Sequence, residues 1–176
     1  ACLVGSEMCI RDREGLLKPY TIKEIGDRKI GFLAINLDPK GMIADSHVNG
    51  IKYLDGIKAA NSMAWYLKNI KHADMVIALT HVGYDTENPP TPSDIDLAAA
   101  STDIDIIIGG HSHTTIDPTK AKTSRYLRTN AEGDTILVVQ TGSRGASLGE
   151  IKVDLETLTP AYRLINVDKR LDNRID

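Results

Sequence analysis

A short apolar segment that ends in two glycines and two histidines constrains the fold of this chain most strongly. Residues 104–108 read Ile-Asp-Ile-Ile-Ile, and Gly109-Gly110-His111-Ser112-His113 follows directly. A run rich in β-branched residues predicts a strand buried on both faces, as in a parallel sheet. The glycines allow a sharp turn or a close approach of the backbone to another group. Because neutral imidazole is the commonest metal ligand, this segment predicts a strand with metal-binding side chains at its carboxyl end.

A second apolar segment ends in the same way. Residues 74–80 predict another buried strand, and His81, Val82 and Gly83 follow it. Neighbouring parallel strands lie about 5 Å apart, so His81, His111 and His113 could converge on one metal cluster. Three neutral imidazoles suit zinc, iron, nickel or manganese better than calcium or magnesium. The alternative is that all three are ordinary surface or core histidines.

The other periodicities predict an α/β fold in which strands and helices alternate, as in βαβ units. Two helices, a pair of early strands and three late antiparallel strands are expected, with the segments 37–50 and 114–134 as loops. The predicted helices are 54–71 and 93–100, and the further predicted strands are 20–25, 29–36, 135–140, 147–155 and 161–167.

Composition excludes several classes of function. The chain has 176 residues, 41% of them hydrophobic, which suits one domain or a piece of a larger one. A net charge of -3 gives no basic surface for a nucleic acid polymer. No apolar run approaches the roughly 18 residues of a membrane span. Both cysteines lie within residues 1–13, a segment without helical or strand periodicity that we interpret as a non-native tail.

Three motifs, two of which contain these histidines, indicate a protein family. They are Ala78-Leu79-Thr80-His81-Val82-Gly83-Tyr84, Asp105-Ile106-Ile107-Ile108-Gly109-Gly110-His111-Ser112-His113-Thr114, and Val138-Val139-Gln140-Thr141-Gly142-Ser143-Arg144-Gly145. In this order they resemble the later part of a calcineurin-like metallophosphoesterase domain of the 5′-nucleotidase and UDP-sugar hydrolase type. The resemblance covers residues 14–176 and implies part of an α/β/β/α sandwich, in which mixed sheets are flanked by helices.

The resemblance also implies a chemistry. Two divalent metal ions, zinc or manganese, would be bound, with His81 and His111 on one ion and His113 on the other. The substrate would be a small phosphate ester such as a nucleotide, hydrolysed by water. Asp96 would lie at a helix terminus or support the metal site indirectly, and we favour the helix terminus. We interpret Arg144 as a turn residue.

Several family motifs have no counterpart between residues 14 and 176. An Asp-x-His, a Gly-Asp and a Gly-Asn-His-Asp/Glu motif, which carry the other metal ligands and the catalytic histidine, would precede this segment. We therefore expect an N-terminally truncated domain, residues 14–176, with no catalytic residue of its own and little activity. By resemblance, the parent would be periplasmic or on the cell surface, with a C-terminal substrate-binding domain.

Two alternatives to a nucleotidase stay open. One is a non-catalytic metal-binding or scaffold module. The other is a hydrolase of a different ester on the same scaffold, with a cyclic nucleotide, a UDP-sugar or a sulfur compound as substrate.

Overall fold

The computed structural model describes residues 18–40, 44–48, 52–85 and 92–168. The proposed tail, residues 1–13, lies outside these ranges. Within them the chain forms two sheets and three α-helices. The strands are β1 (Thr21–Ile25), β2 (Arg28–Asn36), β3 (Met75–His81), β4 (Ile106–Ile108), β5 (Leu127–Thr129), β6 (Thr135–Val139), β7 (Ser147–Val153) and β8 (Pro160–Asn166). The helices are α1 (Asp45–Val48), α2 (Gly56–Asn69) and α3 (Asp94–Ala100), and Thr123–Arg125 forms a 3₁₀ turn.

The main sheet has six strands in the order β1-β2-β3-β4-β6-β5. Its four central strands are parallel, and the two edge strands β1 and β5 run antiparallel to their neighbours. The second sheet is the antiparallel hairpin of β7 and β8. The βαβ arrangement, and with it the mixed α/β architecture expected from the sequence, is confirmed.

Two apolar layers cover the main sheet. One face packs against α2 and α3, and its core includes Leu67, Val76 and Leu97, all at most 2% exposed. On the opposite face, Met75, Ile77 and Ile106 pack with side chains of the β7–β8 hairpin. Side chains alternate between the faces along each strand, so the side chain of each β3 residue faces only one of the two layers.

Both longer helices begin at side-chain caps. The Asp55 carboxylate accepts a hydrogen bond from the Lys58 N–H at the start of α2. At α3, Ser93 and Asp96 form a reciprocal capping box: each side chain bonds to the other residue's backbone N–H. Asp96 is therefore a helix-terminus residue, the role that its place in the sequence favoured.

Three expectations about elements were wrong. The segment 114–134 contains strand β5, and the segment 37–50 contains the short helix α1. The late strands do not form one antiparallel series, because β6 pairs in parallel with β4 and lies in the main sheet. Only β7 and β8 pair antiparallel with each other, and they belong to the second sheet.

Candidate metal centre

The two histidine-bearing segments leave the main sheet at the same edge. Strands β3 and β4 are parallel neighbours, with Leu79 opposite Ile108. His81 therefore follows β3, and the loop Gly109–Thr114 follows β4, side by side at the carboxyl ends of the strands. On the far side of β3, Asn36 at the end of β2 is opposite His81 in the register. The close approach of these strand ends, expected from the sequence, is confirmed.

The rings of His81 and His111 lie together at this edge. Their centroids are 5.3 Å apart, and the planes meet edge to face at 69°. Gly110 makes this approach possible, because a Cβ there would be 2.9 Å from Nδ1 of His81. Two imidazoles that share one zinc ion with bonds of about 2 Å have ring centres at most about 6 Å apart. The spacing of the pair therefore fits binding to a single ion.

His113 does not complete a three-ligand cluster. Its side chain is exposed, and in the described ranges no three His, Cys, Asp or Glu side chains are grouped so as to hold a metal ion. His47, on α1, is also exposed. The structure thus brings together His81 and His111, and the separate assignment of His113 to a second ion stays a prediction.

The backbone of the histidine loop is unusual. His111 has φ 80° and His113 has φ 57°, both in the left-handed region that non-glycine residues rarely adopt. Such a conformation costs a residue with a Cβ about 1–2 kcal/mol. Two of these residues flank Ser112, so the loop keeps this shape only if the surrounding contacts hold it.

Gln140 supplies several of those contacts. It follows β6, is 1% exposed, and bonds through both ends of its amide. Nε2 donates to the Gly110 carbonyl at 3.0 Å, whereas Oε1 accepts from Ser112 Oγ at 3.1 Å and from the Thr114 N–H at 3.3 Å. One buried side chain thus spans the loop from its first turn to its end.

Asp94, the first residue of α3, orients that amide. The carboxyl group is fully buried and accepts from Gln140 Nε2 at 2.9 Å and from Thr80 Oγ1 at 2.5 Å. Burial raises the pKa of Asp94 above its usual value, and the hydrogen bonds from Thr80 and Gln140 offset part of that rise. Gly109 allows the contact, since a Cβ there would be only 1.9 Å from Asp94 Oδ2.

Neither Asp94 nor Gln140 was predicted from the sequence as a residue of the site. An acidic residue in the first turn of a helix is ordinary, because it complements the helix dipole, and so Asp94 carried no distinct signal. Gln140 did carry one. It is an amide at the end of the apolar run 136–139, directly before a turn. A buried amide in such a position needs hydrogen-bond partners, and here they come from the histidine loop.

The role predicted for Arg144 agrees with the structure. Arg144 is exposed and has φ 59° in the turn before β7, so it is a turn residue as expected.

A cavity of about 410 Å³ adjoins the histidine pair on the hairpin side of the sheet, and its lining includes Asn36, Leu79 and His81. No helix in the described part of the chain combines the length and apolar character needed to cross a membrane.

Comparison with known proteins places these features in a family. The family model described as "Bacterial capsule synthesis protein PGA_cap" matches residues 11–124. The trifunctional nucleotide phosphoesterase YfkN of Bacillus subtilis is 26% identical over 141 residues, which cover 80% of this chain and 8% of that protein. The 5′-nucleotidase of Bos taurus is 26% identical over 149 residues, covering 81% of this chain and 24% of the relative. The chain thus spans a small part of these relatives.

Solved structures give the same picture for the fold. The 5′-nucleotidase precursor from Thermus thermophilus superposes with a TM-score of 0.71 at 24% identity, covering 95% of this chain and 33% of that one. The calcineurin-like phosphoesterase YfkN from Bacillus subtilis gives a TM-score of 0.63 at 22% identity, over 86% of this chain and 51% of that structure. Calcineurin-like phosphoesterases generally use two divalent metal ions. The chain belongs to the calcineurin-like phosphoesterases, by its match to the PGA_cap family and its relationship to the 5′-nucleotidases.

Proposed function

We propose that this chain supplies one side of a two-metal centre in a phosphohydrolase that removes phosphate from nucleotides. The observation that carries the proposal is the His81–His111 pair, with ring centroids 5.3 Å apart at the ends of two neighbouring parallel strands. Neutral imidazoles favour zinc or manganese over the harder calcium and magnesium ions. The nucleotide phosphoesterase and 5′-nucleotidase relatives support a nucleotide as the substrate.

The donor set fits part of such a centre. His81 and His111 would bind one ion, and His113, three backbone positions from Gly110, would bind the second. Two adjacent divalent ions, when bound, hold the phosphate and stabilise the attacking and leaving oxygens. The chain's own contribution is to fix these imidazoles. Gly110 leaves room for the His81 ring, and Gln140 holds the loop that carries the other two histidines.

The remaining ligands would come from other parts of the longer protein. Within the described residues no complete metal-binding group is formed, so residues 14–176 alone should hydrolyse nucleotides very slowly or not at all. We further propose that the whole protein acts in the periplasm or at the cell surface. Cell fractionation of the full-length protein tests that location.

Metal analysis of the full-length protein tests the proposed site. The double variant His111→Ala, His113→Ala should lose at least one of two bound ions and nearly all phosphatase activity towards a nucleoside monophosphate. His47→Ala is the matched control, since His47 lies exposed on α1. Unchanged metal content in the double variant would show that these histidines are not ligands.

The alternatives are separated by two observations. A scaffold module would lack the Asp-x-His and Gly-Asn-His-Asp/Glu motifs in the sequence that precedes residue 14 of the full-length protein. A hydrolase of another ester would have both motifs and bind metal. It would, however, cleave a cyclic nucleotide, a UDP-sugar or a sulfur ester faster than a nucleoside monophosphate.

A further inference from the structure

We propose that Asp94 and Gln140 are positioning residues for the metal centre, which act by fixing the loop Gly109–Thr114. This inference rests on the proposed function and extends it to two residues that touch neither substrate nor metal. The two side chains form a buried hydrogen-bonded bridge between α3 and the end of β6, and the bridge continues into the loop.

The bridge lies on one side of the sheet and the first histidine on the other. Side chains alternate along a strand, so Thr80 faces α3 whereas His81 faces the hairpin side. Thr80 donates to Asp94 and thereby ties the end of β3 to the same bridge. The bridge consequently reaches both histidine-bearing strand ends, through the Thr80 hydroxyl at the end of β3 and through the Gly110 carbonyl after β4.

The hydrogen-bonding capacity of Gln140 is fully used. An amide side chain offers two N–H donors and two acceptor lone pairs. Both donors are used, on Asp94 Oδ2 and the Gly110 carbonyl, and Oε1 accepts from Ser112 and Thr114. Asp94 sets the direction of this amide, because a carboxylate accepts only from the Nε2 end. The oxygen end must then face Ser112 and Thr114.

The loop needs such a constraint. His111 and His113 both have left-handed backbone angles, which a free loop of non-glycine residues would leave. Ser112, between them, is held at its hydroxyl by Gln140 and by the Tyr84 N–H at 3.0 Å. Groups that orient metal ligands typically contribute a factor of about 10–100 to metal affinity or activity.

Co²⁺ titration of the metal-free full-length protein, followed by visible absorption, tests the inference. Gln140→Leu removes all four bonds at similar size and should weaken Co²⁺ binding about 10- to 100-fold. Gln140→Glu is the second variant should the first not fold. It keeps the acceptor but places an oxygen against Asp94 and the Gly110 carbonyl, and the same weakening is expected.

Asp94→Asn separates geometry from charge. An asparagine can accept from Gln140 through its carbonyl and donate to Thr80 Oγ1 through its amide, so the bridge survives. Co²⁺ affinity within about threefold of wild type is expected here, against a large loss in Asp94→Leu. A large loss in Asp94→Asn as well would contradict a purely positional role.

Asn130→Ala controls for general destabilisation. Asn130 is 7% exposed, accepts from the Glu132 and Asp134 N–H groups and donates to the Thr102 carbonyl, at the opposite end of β6. The Asn130→Ala substitution should lower the melting temperature without changing Co²⁺ affinity. If Gln140→Leu behaves like this control, the inference is wrong while the proposed function stands. If the wild-type protein binds no Co²⁺ and cleaves no phosphate ester, the proposed function fails and the inference with it.

Discussion

Gly109 lies so close to a buried carboxyl group that no other residue fits at its position. A Cβ there would be 1.9 Å from Asp94 Oδ2 and 2.9 Å from Gln140 Nε2. Neither neighbour can move without breaking its own hydrogen bonds. We expect Gly109→Ala to reduce the free energy of unfolding by about 3 kcal/mol, at the upper end for overpacking a core. Urea denaturation of the full-length protein measures this.

Gly133→Ala is the matched comparison for that substitution. Gly133 has φ 93°, but a Cβ there would meet no atom within 4 Å. Its alanine variant carries only the backbone cost of about 1–2 kcal/mol. Equal losses at the two positions would contradict the close approach between Gly109 and Asp94.

The sequence predicted the structural position of single residues where a local pattern determines that position. His81 and the histidines of Gly109–His113 follow apolar runs directly, so their place at a strand end was predictable. Asp96 lies three residues after Ser93, the spacing of a capping box. The Asp94–Gln140 contact joins residues 46 positions apart, and no local pattern specifies such a pair.

Arg28, at the start of β2, joins the two sheets through its guanidinium group. Nη1 binds the Asp74 carboxylate at 3.0 Å, Nε donates to the Leu155 carbonyl at 2.9 Å and Nη2 donates to the Glu156 carbonyl at 3.3 Å. Lysine has a single ammonium group and cannot span these three acceptors. We expect Arg28→Lys to loosen the β7–β8 hairpin and to raise amide exchange rates in its 154–159 turn severalfold.

Hydrogen exchange of the β7–β8 hairpin, measured by mass spectrometry, tests this role of Arg28. Lys58→Ala serves as the control, because the Lys58–Asp55 pair at the start of α2 is exposed and remote from the hairpin. Exchange in the hairpin that is identical in wild type and Arg28→Lys would show that apolar packing alone holds the two sheets together.

The contact between Arg28 and Asp74 also predicts that the stability of the fold depends on pH. The Lys29 N–H and the Arg28 guanidinium lower the pKa of Asp74 below its usual value of 3.8. A lowered carboxyl pKa stabilises the folded state above the unfolded pKa, and this stabilisation is lost as the pH falls through the folded pKa. Wild type should therefore be more stable than Asp74→Asn near pH 7, with a difference that shrinks below about pH 4. A constant difference from pH 7 to pH 3 would refute the assignment to Asp74.

At the level of elements, the sequence patterns identified both longer helices and seven of the eight strands, the three-residue β4 among them, but missed β5 and α1. Helix α2 and strand β3 show clear 3.6-residue and apolar patterns. Strand β5 has three residues and α1 has four, too few to establish a period. The pairing of β6 with β4 was also beyond local sequence, since strand neighbours in a sheet are chosen by tertiary packing.

At the scale of the whole molecule, one region of the main sheet has no apolar cover among the residues that the structure describes. The β7–β8 hairpin packs on the face of the sheet that carries Met75 and Ile77 of β3. Leu79, on the same face of this central strand, is 44% exposed. Ala34 and Ile108 lie beside it around the 410 Å³ cavity. Exposed apolar surface of this kind favours association.

We expect residues 14–176, produced alone, to associate in solution and to bind a hydrophobic dye. Leu79→Gln should lower both dye binding and the associated fraction, as measured by size exclusion with light scattering. Ile25→Gln is the control, because Ile25 is 50% exposed on edge strand β1, away from this region. A monomer with a sharp two-state thermal transition would contradict this expectation.

Leu79 and His81 lie two residues apart on β3 and therefore project from the same face of the sheet. Any segment that buries the leucine must also come to rest beside the imidazole. Where that segment also carries the remaining metal ligands, its docking and the capture of an ion are coupled equilibria, and each strengthens the other by the same factor. Supplied as separate polypeptides, the two parts of such a protein should reassociate more tightly when zinc is added, and a chelator should drive them apart.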